Sequence, residues 1–318
     1  MLLCKYFLLF FFAVFQTQLL FSQYWTWGKK VTGNSFQDGA DIALSPNNTL
    51  FAAGEYIDTA FYENDTLAPP FSYDAFYVLS LKPDGTKNWI KRWFGANNIN
   101  ALAVDADEFD NAYVAGAYND SIYTSIDTFS TNNPAMPQWE TYLLKLDTAG
   151  NELWLKQMKC TAPDSIYPAD IHYSNSSIFV SGFLTGDSVI FDSVVLSGLY
   201  DPVKFYLVKY NSLSGALQWV ITSKGSFEKY SRIFSDGTGN IYVTGKFSGY
   251  ISFGSDTVFS RGSSDIFIAK FDSSGAVVWL KGIGGSCTDF PYDITLSGDS
   301  SAHLSGRVCD SLWFGNQL

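Results

Sequence analysis

A tryptophan that begins a short apolar stretch recurs along the chain and limits the folds the chain can adopt. The copies are separated by 62, 65, 65 and 60 residues: Trp27, Trp89, Trp154, Trp219 and Trp279. A glycine that ends a second apolar stretch follows each copy after 26 to 28 residues: Gly54, Gly116, Gly182, Gly245 and Gly306. A near-constant period indicates that the chain stacks copies of one small structural unit.

The apolar pattern inside a unit has a period of two residues, which is typical of half-buried strands. Residues 74–79, DAFYVL, and 265–270, DIFIAK, alternate in this way, and a turn containing Asp and Gly follows each. A second hairpin is predicted between residues 40–44 and 49–54. We therefore predict four antiparallel strands per unit and no helix after the first 22 residues.

Four-stranded sheets that repeat along a chain can bury both faces by stacking radially. The sequence therefore predicts an all-β fold, a β-propeller built from four-stranded repeats of about 63 residues. Residues 23–318 form the repeats, with units that start near 27, 89, 154, 219 and 279. The last unit lacks counterparts of residues 265–281, so we expect a fragment of a longer protein with four complete units and part of a fifth. A four-bladed propeller closed by the remaining residues is the alternative.

Three segments carry the clearest repeat motifs: residues 236–249, DGTGNIYVTGKFSG, residues 263–275, SSDIFIAKFDSSG, and residues 279–285, WLKGIGG. They resemble the secreted bacterial β-propeller repeats of the SBBP family. The second and third units depart from this pattern through Met158-Lys159 and through inserted loops. The resemblance covers residues 24–318 and implies a protein of the Bacteroidota, where such proteins often carry a C-terminal sorting module for type nine secretion, a module not found in this sequence.

The first 22 residues are typical of a secretory signal peptide, with Lys5 ahead of an apolar run from Tyr6 to Phe15. That run is too short to span a bilayer as a helix, which needs about 20 residues. We expect cleavage after Ser22 and no membrane span in the mature chain. The predicted location is therefore outside the cytoplasm, secreted or at the cell surface.

The charge balance and the few histidines exclude several classes of function. The chain has 20 Lys and Arg against 31 Asp and Glu, a net charge of −11, so a nucleic-acid partner is not expected. His172 and His303 lie apart on predicted strands, and no nucleophile elbow or metalloprotease motif is present. We predict a secreted or cell-surface interaction or structural module with no catalytic site and no cofactor. The alternative is a carbohydrate-active propeller enzyme, a lyase or hydrolase, that uses carboxylates gathered in the central channel.

Asp105, Asp107 and Asp110 have the spacing of a cation-binding loop. The full calcium-loop pattern is absent, and the matching segments of the other units read as ordinary hairpin turns. A solvated turn is the preferred interpretation, and we predict no metal site.

Two loops break the repeat, residues 130–140 and 197–204, and both contain Pro and aromatic residues. We predict Trp139 and Tyr200 as ligand contacts, because loops on a rigid scaffold often carry binding sites. The repeated Trp residues are instead expected to be buried between sheets. Trp25, Trp93, Trp139 and Trp313 lie off this register and are the better ligand candidates. The expected partner is a protein or a glycan at the cell surface.

Three cysteines follow the first few residues, so at least one cannot pair within the chain. Cys287 and Cys309 flank a predicted hairpin whose register places them almost opposite each other. We predict that they form a disulfide in the exported protein and that Cys160 stays free.

The resemblance to Bacteroidota surface proteins also implies O-glycosylation at Asp-Ser/Thr-apolar tripeptides. A turn residue followed by the first apolar residue of a strand produces the same tripeptide, so an unmodified chain is the alternative. The matching residues are Thr59, Thr66, Ser121, Thr148, Ser165, Ser188, Ser193, Thr257 and Ser311.

Overall fold

The structure, a computed structural model, describes residues 27–70, 74–131, 138–161, 164–199, 203–298, 301–310 and 312–314. These residues form strands and turns, and no helix is found among them. The strands of the first half are β1 (Thr32–Gly33), β2 (Gln37–Leu44), β3 (Leu50–Ile57), β4 (Ala60–Tyr62), β5 (Asp65–Leu67), β6 (Asp74–Leu81), β7 (Lys87–Phe94), β8 (Ile99–Ala106), β9 (Ala112–Tyr118), β10 (Ser121–Tyr123), β11 (Thr128–Ser130), β12 (Glu140–Leu146) and β13 (Glu152–Cys160). The strands of the second half are β14 (Ile166–Ser174), β15 (Ser177–Leu184), β16 (Ser188–Phe191), β17 (Val194–Ser197), β18 (Lys204–Asn211), β19 (Leu217–Thr222), β20 (Lys224–Ser235), β21 (Ile241–Phe253), β22 (Asp256–Phe259), β23 (Asp265–Phe271), β24 (Val277–Gly284), β25 (Phe290–Leu296), β26 (Ala302–Arg307) and β27 (Trp313–Phe314).

Within the described ranges these strands form four complete antiparallel blades and the first hairpin of a fifth. From the inner to the outer edge the blades are β2-β3-β6-β7, β8-β9-β12-β13, β14-β15-β18-β19 and β20-β21-β23-β24, followed by β25-β26. The predicted all-β propeller is confirmed, and so is the predicted pairing of residues 40–44 with 49–54. Four of the repeated Trp residues, Trp89, Trp154, Trp219 and Trp279, lie in outer strands, so a blade ends with the Trp strand that begins the sequence repeat.

Short strands that follow the second strand of a blade pair with the preceding outer strand in most blades, whereas in blade 4 strand β22 pairs with the long β21. Strand β10 pairs with outer strand β7 through Tyr123 and Phe94, and β16 pairs with β13 through Phe191 and Met158. Strand β27 pairs with β24, and β4 pairs with β1, in the same way. An outer strand would otherwise present unpaired backbone groups, and these short strands cover part of that edge.

Apolar side chains fill the space between successive sheets. In the first interface, Phe51 and Phe76 of blade 1 belong to one cluster with Val114, Tyr142 and Leu144 of blade 2. Strands β9 and β12 are buried along their whole length, because a neighbouring blade covers each face. Burial of these apolar faces is the main favourable contribution to the stability of the fold.

The repeated glycine lies in the second strand of each blade, opposite an irregularity in the inner strand. In blade 2 the pairing shifts between Ala101 and Ala103, next to Gly116. A Cβ atom on Gly116 would overlap the Asn100 carbonyl oxygen and the ring of Tyr142. Only glycine permits this close approach of two backbones, which explains why the residue recurs.

The repeated Trp lies at the rim of the interface between blades, which differs from the predicted burial between sheets. Trp89, for example, is half-buried, its indole Nε1 donates a hydrogen bond to the Thr148 carbonyl of the next blade at 2.9 Å, and its ring covers Gly150. The same bond joins Trp27 to Pro83, Trp154 to Ser212 and Trp219 to Ser273. The predicted packing between sheets is therefore found, but the burial is only partial because the ring covers a turn at the end of the sheet.

The two ends of the propeller differ in their connections. We name the end with tight turns between the first and second strands, such as residues 107–111 and 174–177, the turn face. The opposite end is the loop face, where connections such as residues 119–139 and 185–203 join the second strand to the third.

Candidate functional site

The inner strands of all five blades line one cavity of about 290 Å³, the central channel. Three blades place an aspartate at the same position, directly after the irregularity opposite the repeated glycine: Asp41, Asp170 and Asp293. Blade 4 has Arg232 there, and blade 2 supplies Asp105 two residues further along its inner strand. The channel therefore gathers four carboxylates and one guanidinium from five blades.

Each channel aspartate bonds to the backbone of its own inner strand, and three of them also bond to the next. Asp170 Oδ1 accepts a hydrogen bond from Ile171 N at 3.0 Å, and Asp170 Oδ2 accepts one from Ile233 N of blade 4 at 2.7 Å. Asp41 joins blades 1 and 2 in the same way through Val104 N at 2.9 Å. An inner strand is a sheet edge with unpaired N–H groups, and these carboxylates satisfy them.

Blade 2 makes the same connection from a different position. Asp105 Oδ1 accepts a hydrogen bond from Ala106 N at 2.8 Å, and Asp105 Oδ2 accepts one from Tyr173 N of blade 3 at 2.6 Å. His172 lies beside it, with Nδ1 at 3.4 Å from Asp105 Oδ2 and Nε2 at 2.9 Å from Ser235 Oγ. His172 therefore has a structural position across three inner strands, whereas His303 is exposed.

Burial in the channel changes the titration of its carboxyl groups. It raises the pKa of Asp170 to about 7, against the opposing effect of the Arg232 guanidinium and the Ile233 N–H. It also raises the pKa of Asp41. Arg232 itself donates from Nη1 to the Ala169 carbonyl at 3.2 Å and packs over the ring of Tyr230. A carboxyl that titrates near neutral pH can move a proton, but both oxygens of Asp170 already bond to backbone N–H groups.

The three aspartates with cation-loop spacing point to different partners. Asp107 is buried and accepts hydrogen bonds from the N–H groups of Phe109 and Asn111 and from the Tyr113 hydroxyl. Asp110 accepts one from Ser45 Oγ, whereas Asp105 faces blade 3. They therefore organise a turn between blades. No metal-binding group of three or more His, Cys, Asp or Glu occurs in the part of the chain that the structure describes.

The two inserted loops lie on the loop face. Residues 132–137 and 200–202 are outside the described ranges, so Tyr200 is not placed. Trp139 is half-buried, its backbone N–H donates to Ser165 Oγ at 3.2 Å, and its ring contacts Tyr167 edge-on at 5.4 Å. Of the other candidates off the repeat register, Trp25 is not described, and Trp93 is only 4% exposed and stacks on Phe76. Trp93 is therefore a core residue, and its proposed ligand contact was wrong.

Cys287 and Cys309 are joined in the structure, with Cα atoms 5.9 Å apart. Their oxidation in the exported protein stays a prediction. The Cys309 backbone N–H also donates to the buried Asp289 carboxylate at 2.8 Å. Cys160 is free and buried, and burial raises the pKa of its thiol to about 12. A buried thiol with a raised pKa is not a reactive nucleophile.

The predicted O-glycosylation residues differ in accessibility. Thr66, Thr148, Ser193 and Thr257 are exposed, whereas Thr59, Ser165 and Ser188 are partly covered and Ser311 is not described. Ser121 is only 2% exposed and its Oγ accepts a hydrogen bond from Ala96 N at 3.1 Å. Ser121 is therefore inaccessible in the folded chain, because the first residue of β10 is enclosed by the connection to the preceding blade, and its modification stays a prediction.

Sequence reasoning missed a buried polar network in blade 2. The Glu140 carboxylate is fully buried and accepts hydrogen bonds from the Tyr118 hydroxyl at 2.9 Å, Gln157 Nε2 at 2.7 Å and Gln138 Nε2 at 2.9 Å. Burial raises its pKa. A polar residue at the first position of the third strand was the available signal.

The fold and the channel together define a β-propeller repeat protein. No protein-family model matches the chain. The chain is 25% identical over 267 residues to an uncharacterised WD repeat-containing protein of Acanthamoeba polyphaga mimivirus, a match that covers 71% of this chain and 19% of the viral protein. The chain thus spans about a fifth of that relative.

Two solved structures resemble the chain at low sequence identity. A protein of unknown function from Bacteroides caccae is 12% identical with a TM-score of 0.32, covering 77% of this chain and 81% of that one. The Dos1 propeller is 9% identical with a TM-score of 0.41, covering 86% of this chain and 67% of that one. The propeller assignment rests on the blades and the channel, because these TM-scores are low. Among the residues that the structure describes, no helix is long and apolar enough to cross a membrane.

Proposed function

We propose that the chain is an interaction module that binds a partner protein through its loop face. The observation that carries this proposal is the contrast between the two ends of the propeller. The turn face repeats the same contacts from blade to blade, whereas the connections on the loop face differ in length and sequence. Function in a repeat protein is expected where the repeat is broken.

The channel supports a structural role for its carboxylates. Asp41, Asp105 and Asp170 each use both oxygens to hold backbone N–H groups of two blades. The similarity to a WD repeat-containing viral protein favours a protein partner. A glycan on the loop face is the other partner predicted from sequence, and the experiment below separates the two.

We further propose that the module acts outside the cytoplasm, secreted or at the cell surface. The predicted signal peptide and the resemblance to SBBP repeat proteins of the Bacteroidota support this location. Intact mass of the exported protein should show a chain that starts at Gln23. The same spectrum tests O-glycosylation at the exposed Thr66, Thr148 and Ser193. A mass equal to that of the unmodified chain would show that these residues are not glycosylated.

The test places a photo-activated crosslinking residue at one exposed position on each face. Ser197 lies beside the inserted loop on the loop face, and Leu213, 81% exposed, lies on the turn face. On intact source cells, the Ser197 variant is expected to form a discrete adduct with one protein, and the Leu213 variant none. Equal adducts from both faces would contradict the proposal. Binding on a glycan array without a protein adduct would assign a glycan partner instead.

The enzyme alternative has a separate test in the channel. A carbohydrate-active enzyme would need a channel carboxyl that exchanges a proton near neutral pH, and burial raises the pKa of Asp170 to about 7. The Asp170→Asn variant keeps the shape of the side chain. Polysaccharide turnover that this variant abolishes would replace the interaction proposal with catalysis.

A further inference from the structure

One cavity, of about 710 Å³, lies beside the outer strand of blade 4, next to the loop-face connection between β21 and β23 and apart from the channel. Arg261, Asp265, Gly282, Gly284 and Trp313 are among the residues that line this blade 4 cavity. Outer strand β24 carries two glycines here, so part of the space is a consequence of missing side chains.

The same place in blade 2 is filled by polar side chains. The third and fourth strands pair in the same register in both blades, Thr141 with Met158 and Ile266 with Ile283. Glu140 therefore corresponds to Asp265, and Gln157 corresponds to Gly282. In blade 2 the Gln157 side chain extends over the sheet and donates to the Glu140 carboxylate at 2.7 Å.

Blade 4 keeps the buried carboxylate and lacks its donors. Tyr118, which donates to Glu140, lies two residues after its repeated glycine, and Phe247 has that position in blade 4. Asp265 is 2% exposed, and its Oδ2 accepts a hydrogen bond from Arg261 N at 2.8 Å. Its Oδ1 has no hydrogen-bond partner among the described residues. A buried acceptor without a donor is costly, so this oxygen indicates a ligand that supplies one.

The remaining lining combines hydrogen-bonding groups with aromatic rings. The Arg261 guanidinium lies 3.7 Å from the centroid of the Trp313 ring, and Lys281 Nζ lies 5.7 Å from that of Phe314. Phe314 is 54% exposed. Burial, with a smaller contribution from nearby Asp289, raises the pKa of Asp265 and so opposes a permanent negative charge. Both signs of charge meet in one cavity, which favours a neutral ligand rich in hydroxyl groups.

We propose that the blade 4 cavity binds a neutral pyranose unit of an oligosaccharide. A sugar hydroxyl donates to Asp265 Oδ1, Arg261 and Lys281 donate to hydroxyl oxygens, and the C–H face of the ring packs on Phe314. This site lies at the loop-face connection of blade 4, apart from Ser197 and the two inserted loops, so the variants below test it independently of the proposed partner protein.

The test follows Trp fluorescence, because Trp313 lines the cavity. The probes are cellohexaose, xylohexaose, mannohexaose and laminarihexaose, each titrated into the mature protein. At least one is expected to give a saturable change. The absence of a saturable change with all four would overturn the proposal.

Gly282→Gln fills the cavity as Gln157 fills its counterpart in blade 2. A Cβ atom on Gly282 would lie 3.5 Å from its nearest neighbour, Val258, so the substitution does not strain the strand. Binding is expected to weaken at least ten-fold, and Gly282→Ala should have a smaller effect in the same direction. The matched control is Gly39→Gln, because a Cβ on Gly39 meets open space, and it should bind like the wild type. Unchanged oligosaccharide binding in both Gly282 variants contradicts the proposed site. If Gly282→Gln does not fold, the binding of Gly282→Ala alone tests the site.

Discussion

The turn face and the loop face are built from the same strands but differ in how closely their contacts repeat from blade to blade. On the turn face four of the five repeated Trp rings cover a glycine of the next blade, as Trp154 covers Gly215, and each of these indoles donates to a nearby turn carbonyl. On the loop face several connections share a short strand that pairs with the preceding outer strand, but beyond it their lengths differ, and residues such as Glu140 and Asp265 have different surroundings. The repeat therefore maintains the packing between blades, and the loop face is free to vary.

The largest expected effect comes from removing one of the repeated contacts on the turn face. Trp219→Ala should lower the free energy of unfolding by about 3 kcal/mol, at the lower end for a large aromatic side chain because Trp219 is half-buried. Trp139→Ala, on the loop face, should cost clearly less, because its ring contacts mainly Tyr167. Denaturant unfolding of both variants measures the difference. Equal losses would show that the two faces do not differ in this way.

A second effect concerns the cross-link on the loop face of blade 5. The Cys287–Cys309 bond closes a loop with a sequence separation of 22 residues. Its removal in a Cys287→Ser, Cys309→Ser double variant should lower stability by about 2–3 kcal/mol. Peptide mapping without reductant should recover the two cysteines in one linked peptide. Separate peptides from the exported protein would refute the pairing, and Cys160→Ser serves as the control for thiol loss.

A smaller effect depends on pH and on the channel. The ordinary pKa of Asp170 is 3.8, and burial raises it to about 7 in the folded protein. The group therefore stabilises the fold fully below about pH 4, and this contribution is lost as the pH rises to about 7. Asp170→Asn should remove that part of the pH dependence. The resulting difference in the free energy of unfolding across this pH range should exceed about 1 kcal/mol, since one pKa unit corresponds to about 1.4 kcal/mol. Parallel stability profiles of the wild type and the variant between pH 4 and pH 8 would contradict the raised pKa.

The sequence predicted the part of the molecule that repeats. The spacing of Trp and Gly was sufficient for the strand order and the blades, because both residues are needed at fixed points of every sheet. The half-buried position of Trp89 was missed, because a period does not tell whether a ring lies inside an interface or at its rim. Trp93 was misassigned for the related reason that a residue off the period can still face the core.

The sites were less predictable because they depend on side chains from several blades. Asp41 and Asp170 look like ordinary strand residues, and their ties to Val104 and Ile233 join residues 63 positions apart. The orphan oxygen of Asp265 depends on Gly282 and Phe247, which are unremarkable when read alone. Comparison of equivalent positions between units would have identified both features once the strand register was known.

The most direct test of the account asks whether the channel carboxylates tie the blades together. Residue-resolved hydrogen exchange of the Val104, Tyr173 and Ile233 amides reports on the three ties, since each amide donates to an aspartate of the preceding blade. In an Asp170→Ala variant, the Ile233 amide should exchange at least ten-fold faster, while Val104 and Tyr173 keep their protection. Unchanged protection at Ile233 would contradict the structural role of Asp170 and leave its carboxyl free for chemistry.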